Sequence, residues 1–138
     1  MSAPSRDLIR GVPFFAKTDE KFLDRLAEEF NERTYAPGDL MTEEGERGRT
    51  LFVIENGEAA VLVDGKEVRR LGPGDSFGEM ALIDKSARSA TVRADTEVRG
   101  YQLPVFSFRP IVESHPEMTW ALLEALAQRV REAESRVS

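Results

Sequence analysis

Residues 72–94 read GPGDSFGEMALIDKSARSATVRA and hold the side chains with the most definite chemistry in the chain. Gly78 lets the backbone come close to a ligand. The apolar run Met80, Ala81, Leu82 and Ile83 predicts a short helix. The N–H groups of its first turn are unpaired and carry the positive end of the helix dipole, where an anion can bind. Arg88 adds a permanent charge on a planar fork suited to phosphate oxygens, and Ser89 adds a hydroxyl and another backbone donor. Glu79 would repel a phosphate if it pointed at one, so its use is to accept a hydrogen bond from a sugar hydroxyl, as carboxylates do from ribose. These residues describe a pocket for a phosphate ester bearing a sugar. The competing description is a β-turn with an exposed arginine and glutamate.

Other chemistries fare worse. His115 is the only histidine, and its place beside Pro116 between two helical segments predicts a solvent-facing linker residue rather than a base. Without cysteine or a second histidine there is no metal-ligand spacing and no disulfide framework. No nucleophile elbow accompanies His115, so a serine triad has no support. The glycines from Gly72 to Gly78 superficially match a dinucleotide fingerprint, but Phe77 stands where a glycine is needed and no alternating βα pattern follows. A phosphate loop of the Gly-Lys-Ser/Thr type is absent.

The elements that must position this segment follow from periodicity. Residues 5–30 are helical in character. Thr18, followed by Asp19 and Glu20, predicts a helix start with acids facing the dipole. Phe22, Leu23, Leu26, Ala27 and Phe30 share one side at helical spacing, and Phe14 and Phe15 are expected in the same core. From about Arg33 to Leu103 the runs 50–55, 58–63, 66–71, 90–94 and 96–103 are rich in valine, leucine and threonine. Turn signals separate them: Pro37-Gly38-Asp39, Glu44-Gly45, Asn56-Gly57, Asp64-Gly65 and Gly72-Pro73-Gly74-Asp75. Asn56-Gly57 and Asp64-Gly65 are hairpin signals, because a type I′ turn needs positive φ at both central residues. Many short strands at this spacing predict a sandwich, barrel or jelly roll. The recurrence of Pro-Gly-Asp at Pro37 and Pro73 suggests that two halves of a β roll turn alike.

Pro104 suits a first helical turn, and a helix is expected to about Ser114, broken at His115-Pro116. The last helix should run from about Pro116 to Val137. Met118, Leu122 and Ala125 form one stripe for packing on the β roll. Thr119, Leu123, Leu126, Val130, Ala133 and Val137 alternate four- and three-residue steps, the seam of a coiled coil. A single broad face packed on its own domain and a dimer seam are both compatible with this pattern.

Bulk composition agrees with one globular domain of 138 residues, 41% apolar and 32% charged. The formal charge of −6 argues against a nucleic-acid surface. No apolar run is long enough to cross a bilayer and the N-terminus lacks a secretory pattern, so the expectation is a cytoplasmic protein that makes no membrane contact.

The cassette Phe77-Gly78-Glu79-Met80-Ala81-Leu82-Ile83, then Arg88-Ser89-Ala90-Thr91 after a four-residue loop, resembles the phosphate-binding cassette of cyclic nucleotide-binding domains. Such domains occur in catabolite activator-type regulators, cyclic AMP-dependent kinase regulatory subunits and cyclic nucleotide-gated channels. The likeness extends to Pro37-Gly38-Asp39, Glu44-Gly45-Glu46, Ile54-x-x-Gly57 and Leu71-Gly72-Pro73-Gly74-Asp75. It implies a mainly β fold: an eight-stranded jelly roll over 32–103 with the cassette at 77–91, helices in 1–31, and two closing helices in 104–138.

By the same resemblance Arg88 clamps the cyclic phosphate and Glu79 takes the ribose 2′-hydroxyl. The Gly78 amide helps at the ribose, the amides of Ala81 and Ser89 help at the phosphate, and Ser89 Oγ can add a further bond. Met80 and Ala90 complete the cassette, and Val61 and Val68 wall the sugar and base. The sequence departs from the family at Ala87, where proline is common before the arginine, a change that raises the ordering cost of the loop. It also departs near Ala133-Glu134-Ser135, where many relatives supply a group that caps the base. No helix-turn-helix of the kind found in the family's transcription factors is expected here. The implied function is a non-catalytic sensor of a cyclic nucleotide, cyclic AMP in preference to cyclic GMP, needing no cofactor. It would signal through its last helices to a protein target or to a second copy of itself. The alternatives are an interaction module of the same fold that does not bind nucleotide, and the regulatory part of a larger enzyme or transporter.

Overall fold

The computed structural model describes residues 3–46, 49–84 and 88–137. Helix α1 (Arg6–Arg10), a 3-10 turn (Pro13–Phe15) and helix α2 (Glu20–Ala27) come first. Strands β1 (Asn31–Tyr35), β2 (Leu40–Thr42), β3 (Thr50–Asn56), β4 (Ala59–Val63) and β5 (Lys66–Leu71) follow. Strand β6 (Ser76–Phe77) leads into a 3-10 turn (Glu79–Leu82), and β7 (Thr91–Ala94) and β8 (Val98–Pro104) close the roll. Helix α3 (Val105–Ser114), a 3-10 turn (Pro116–Met118) and helix α4 (Thr119–Val137) end the chain.

The strands form two antiparallel sheets of four, ordered β1-β8-β3-β6 and β2-β7-β4-β5. The order explains why β3 reads as an unbroken apolar run. Successive side chains of a strand point to opposite faces. Leu51 and Val53 pack in the helical layer with Phe14, Phe15, Phe22 and Phe108, whereas Phe52 and Ile54 pack between the sheets with Leu71, Val92 and Val98. A strand covered on both faces has no solvent side on which to place polar residues. The resulting eight-stranded roll with flanking helices is the fold class implied by the sequence.

The two Pro-Gly-Asp corners are built alike. The Gly38 and Asp39 pair brackets Ala94 of β7: Gly38 N–H donates to the Ala94 carbonyl and Ala94 N–H to the Asp39 carbonyl. Gly74 and Asp75 bracket Ile54 of β3 with the same two bonds. Each aspartate also accepts from the backbone N–H three residues earlier, Ala36 at 2.9 Å and Gly72 at 2.8 Å. The two sheets are thus stitched by equivalent turns.

Several sequence expectations are corrected. Asp64-Gly65 does turn the β4–β5 hairpin, with φ of 52° and 79°. Asn56-Gly57 does not make a hairpin, because β3 and β4 belong to different sheets. Only Gly57 has positive φ there, and a Cβ on it would lie 2.2 Å from the Glu97 carbonyl oxygen, so this glycine serves a sheet-to-sheet crossover. Thr18 does not cap α2; Asp19 does, accepting from Phe22 N–H, while Thr18 is buried and its hydroxyl donates to the Phe15 carbonyl.

His115 is not solvent-facing. It is half-buried, its ring edge-on to Phe22 with centroids 5.8 Å apart, and its Nδ1 is 2.9 Å from the Ile111 carbonyl oxygen. A carbonyl only accepts, so Nδ1 carries the proton. Leu122 and Met118 join the helical-layer core, which holds Phe14 and Phe15 together with Leu51, Val53 and Leu103 of the sheet. No helix among the described residues is long and apolar enough to cross a membrane.

Candidate functional site

The cassette is held from both ends. At its start, the Phe77 ring stacks on Phe52 at 5.5 Å, and Phe52 meets Tyr35 edge-on at 5.7 Å. Gly78 then takes φ +87°, which turns the chain into the 3-10 turn Glu79–Leu82. At the far end, the loop carrying Glu44, Gly45 and Glu46 fixes the Arg88 backbone in both directions. Gly45 N–H donates to the Arg88 carbonyl at 3.0 Å, and Arg88 N–H to the Glu46 carbonyl at 2.7 Å. Thr91 Oγ1 accepts from Glu44 N–H at 3.0 Å, tying the same loop to β7.

Arg88 therefore projects from a fixed base. Its Nη2 donates to the Thr50 carbonyl at 2.7 Å, and its Nε is buried with no acceptor among the described residues. Burial holds the guanidinium below its usual value, opposed by the charge of Glu46. An arginine so placed still carries its charge at neutral pH. Its unpaired buried donor fits an incoming anion, because leaving such a donor unsatisfied is costly. Gly78 makes room for it: a Cβ there would sit 2.4 Å from Arg88 Nη1 and 2.5 Å from the Thr50 carbonyl oxygen.

Around this arginine is a cavity of about 430 Å³, a size that suits one small ligand. Of the residues expected from the sequence, Val61, Gly78, Glu79, Met80, Ala81, Arg88, Ser89 and Ala90 all line it. Val68 does not. It is 61% exposed, and β5 contributes Arg69 and Leu71 instead. The reason is the pairing register: Arg69 lies opposite Val61 in the β4–β5 ladder and so shares its face, whereas Val68 is the unpaired residue where the register shifts between the Val61–Arg69 and Leu62–Glu67 pairs. The Ala81 amide is engaged within the 3-10 turn, donating to the Gly78 carbonyl at 3.0 Å, rather than being held free for a phosphate. Ala87 lies outside the described residues.

Glu79 is buried, and its Oε1 accepts from Arg129 Nη1 of α4 in a short ion pair. Sequence reasoning missed Arg129. The base-capping region was expected near Ala133-Glu134-Ser135, but these residues do not line the cavity, and α4 reaches it one turn earlier. Arg129 is one of three arginines on α4 and gives no sign in sequence of its partner 50 residues away. Arg69 was missed for a similar reason, since a charged strand residue reads as solvated.

The family model described as "Cyclic nucleotide-binding domain" matches residues 32–115. The chain belongs to the cyclic nucleotide-binding domain family. It is 36% identical over 126 residues to the potassium/sodium hyperpolarization-activated cyclic nucleotide-gated channel 3 of Mus musculus, covering 91% of this chain and 16% of the channel. It is 34% identical over 113 residues to channel 2 of Homo sapiens, covering 82% and 13%. The chain thus spans a small part of the curated relatives it matches. Among solved structures, the N-terminal domain of a transcriptional regulator from Streptomyces coelicolor A3(2) superposes with a TM-score of 0.84 at 32% identity, covering 96% of each chain. The regulatory domain of Toxoplasma gondii PKA, crystallised with cAMP, gives 0.71 at 31% identity, covering 80% of this chain and 44% of that one. The match supports nucleotide binding.

Proposed function

We propose that this domain is a non-catalytic sensor of a cyclic nucleotide, with cyclic AMP as the ligand, that passes occupancy to its C-terminal helices. The observation that carries the reading is Arg88, a partly buried guanidinium with an unpaired Nε, fixed at both backbone ends inside a cavity of ligand size. The cyclic phosphate would meet Arg88, with Ser89 and Ala90 beside it, and the ribose 2′-hydroxyl would meet Glu79. Only Oε1 of Glu79 is taken by Arg129, and a carboxylate has acceptor capacity left for a hydroxyl. Glu79 would then touch the ligand and α4 at once, which supplies the contact that differs between empty and occupied states.

Calorimetric titration with cyclic AMP, cyclic GMP and linear AMP tests this. Cyclic AMP should bind and linear AMP should bind far more weakly. 2′-Deoxy cyclic AMP should lose about 10- to 100-fold, since a hydrogen bond to a charged group contributes about 1.5–3 kcal/mol. Glu79→Gln should shrink that difference. No heat with either cyclic nucleotide would instead favour an interaction module of the same fold that does not bind nucleotide. The activity of any longer protein around this domain, such as an enzyme or transporter it regulates, is a separate question that its flanking sequence would answer.

The seam on α4 favours a second copy as one partner. Leu123 and Val130 are 46% and 57% exposed, and among the described residues of that line only Leu126 is drawn partly into the domain's own core. Leu123→Glu with Val130→Glu should convert a dimer to a monomer in sedimentation equilibrium. A wild type that sediments as a monomer at all accessible concentrations would remove this proposal.

A further inference from the structure

Two adjacent residues at the start of β3 join three parts of the molecule that the proposed sensor must connect. Thr50 accepts from the cassette arginine, Arg88 Nη2, at 2.7 Å. Arg49 reaches the cassette's 3-10 turn from the other side, its Nε donating to the Ala81 carbonyl at 3.3 Å. The Arg49 carbonyl accepts from Val105 N–H, the first residue of α3, at 2.9 Å. One residue therefore holds the ligand-facing turn through its side chain and the start of a closing helix through its backbone.

We infer that Arg49 is a positioning residue that couples the cassette to α3, a role separate from the Glu79–Arg129 contact with α4. A relay between two elements needs contacts that differ between two arrangements. Arg49 has the means for such a difference. Its Nη2 is buried without an acceptor among the described residues, so the guanidinium is held there by one of its donors and lacks a partner for another. Any cassette position that brings a second carbonyl within reach of Nη2 is favoured over one that does not. Because Thr50 is bonded to Arg88, a phosphate that draws Arg88 also acts on the peptide next to Arg49. A shift of that peptide displaces the acceptor on which the first N–H of α3 rests.

The inference rests on the nucleotide-sensor reading, and the test keeps the two apart. Hydrogen exchange of the α3 amides is measured with and without cyclic AMP for the wild type, Arg49→Met and Val105→Pro. Arg49→Met removes the donors but keeps an unbranched apolar stem. Val105→Pro removes the N–H that the Arg49 carbonyl receives while keeping an apolar side chain against the core, at a first helical position where proline is tolerated and after an extended residue that suits it. Calorimetry accompanies each.

The expected result is an α3 exchange change in the wild type that is lost in both variants, with affinity unchanged within about threefold or tighter, because binding no longer does work on the helix. A wild-type-sized α3 response in either variant overturns the proposal. So does a fall in affinity of about tenfold or more in Arg49→Met, which would make Arg49 a support of the pocket only. A wild type that binds cyclic AMP with no α3 response overturns it as well. A wild type that binds neither cyclic nucleotide fails the sensor reading itself, and the coupling with it.

Discussion

Replacing Arg88 by leucine should weaken cyclic AMP binding by about 2–5 kcal/mol, or roughly 30- to several thousand-fold in dissociation constant. The direction follows from the balance of charges. The cavity offers one fixed guanidinium to a phosphate, and the nearby Glu79 and Asp84 are of the wrong sign. Without Arg88 the phosphate would lose that guanidinium; of the other arginines on the cavity, Arg129 is held by Glu79 and Arg69 stands on the β5 wall, beside Val61, Leu71 and Val92. Arg88→Lys should fall between the two, because an ammonium keeps the charge but cannot bond Thr50 and a phosphate through one planar fork. Calorimetry on the three proteins, with thermal melts to show that each is folded, gives the comparison. Equal affinity in wild type and Arg88→Leu would sink the site assignment.

Gly78→Ala should damage both binding and stability, and the pairing of effects separates it from Arg88→Leu. The backbone at φ +87° is unfavourable for an L side chain, costing about 1–2 kcal/mol. The new methyl would also press on the Thr50 carbonyl at 2.5 Å and on Arg88 Nη1 at 2.4 Å. The arginine can swing away, but the strand carbonyl cannot, so a further 1–3 kcal/mol or so of overpacking is expected. Stability should therefore drop by about 2–5 kcal/mol, read as a lower denaturation midpoint at unchanged slope. Binding should fall with it, since the methyl takes the space in which Arg88 lies. Wild-type affinity in a folded Gly78→Ala protein would show that Arg88 does not need this approach, and the geometry of the site would have to be redrawn.

The same residues show how far the sequence could be read. The apolar runs that became β3, β4, β7 and β8 were visible because each has at least one buried face to satisfy, while β5, exposed except at Leu71, was marked by the Asp64-Gly65 turn before it. Strand β1, with Asn31, Glu32, Arg33 and Thr34 exposed, has no such pattern. It is a strand because β8 offers it a ladder at the sheet edge, and that partner is about 70 residues away. Asn56-Gly57 carried a hairpin signal, but turn chemistry constrains only local φ and cannot say which sheet the next strand joins.

At the site, the sequence alone determined the local chemistry: a glycine that admits close approach, a carboxylate for a hydroxyl, and an arginine for a phosphate. Those are properties of residue type and near spacing, and the family pattern placed eight of the nine expected residues on one cavity. Tertiary structure decided what lies across from them. It put Arg69 rather than Val68 on the β5 wall through pairing register, closed Glu79 with Arg129 from α4, and set Arg49 between the cassette and α3. Each of these is a contact between distant segments, fixed by strand order and helix placement, and a charged side chain carries no mark in sequence of the partner that folding will bring to it.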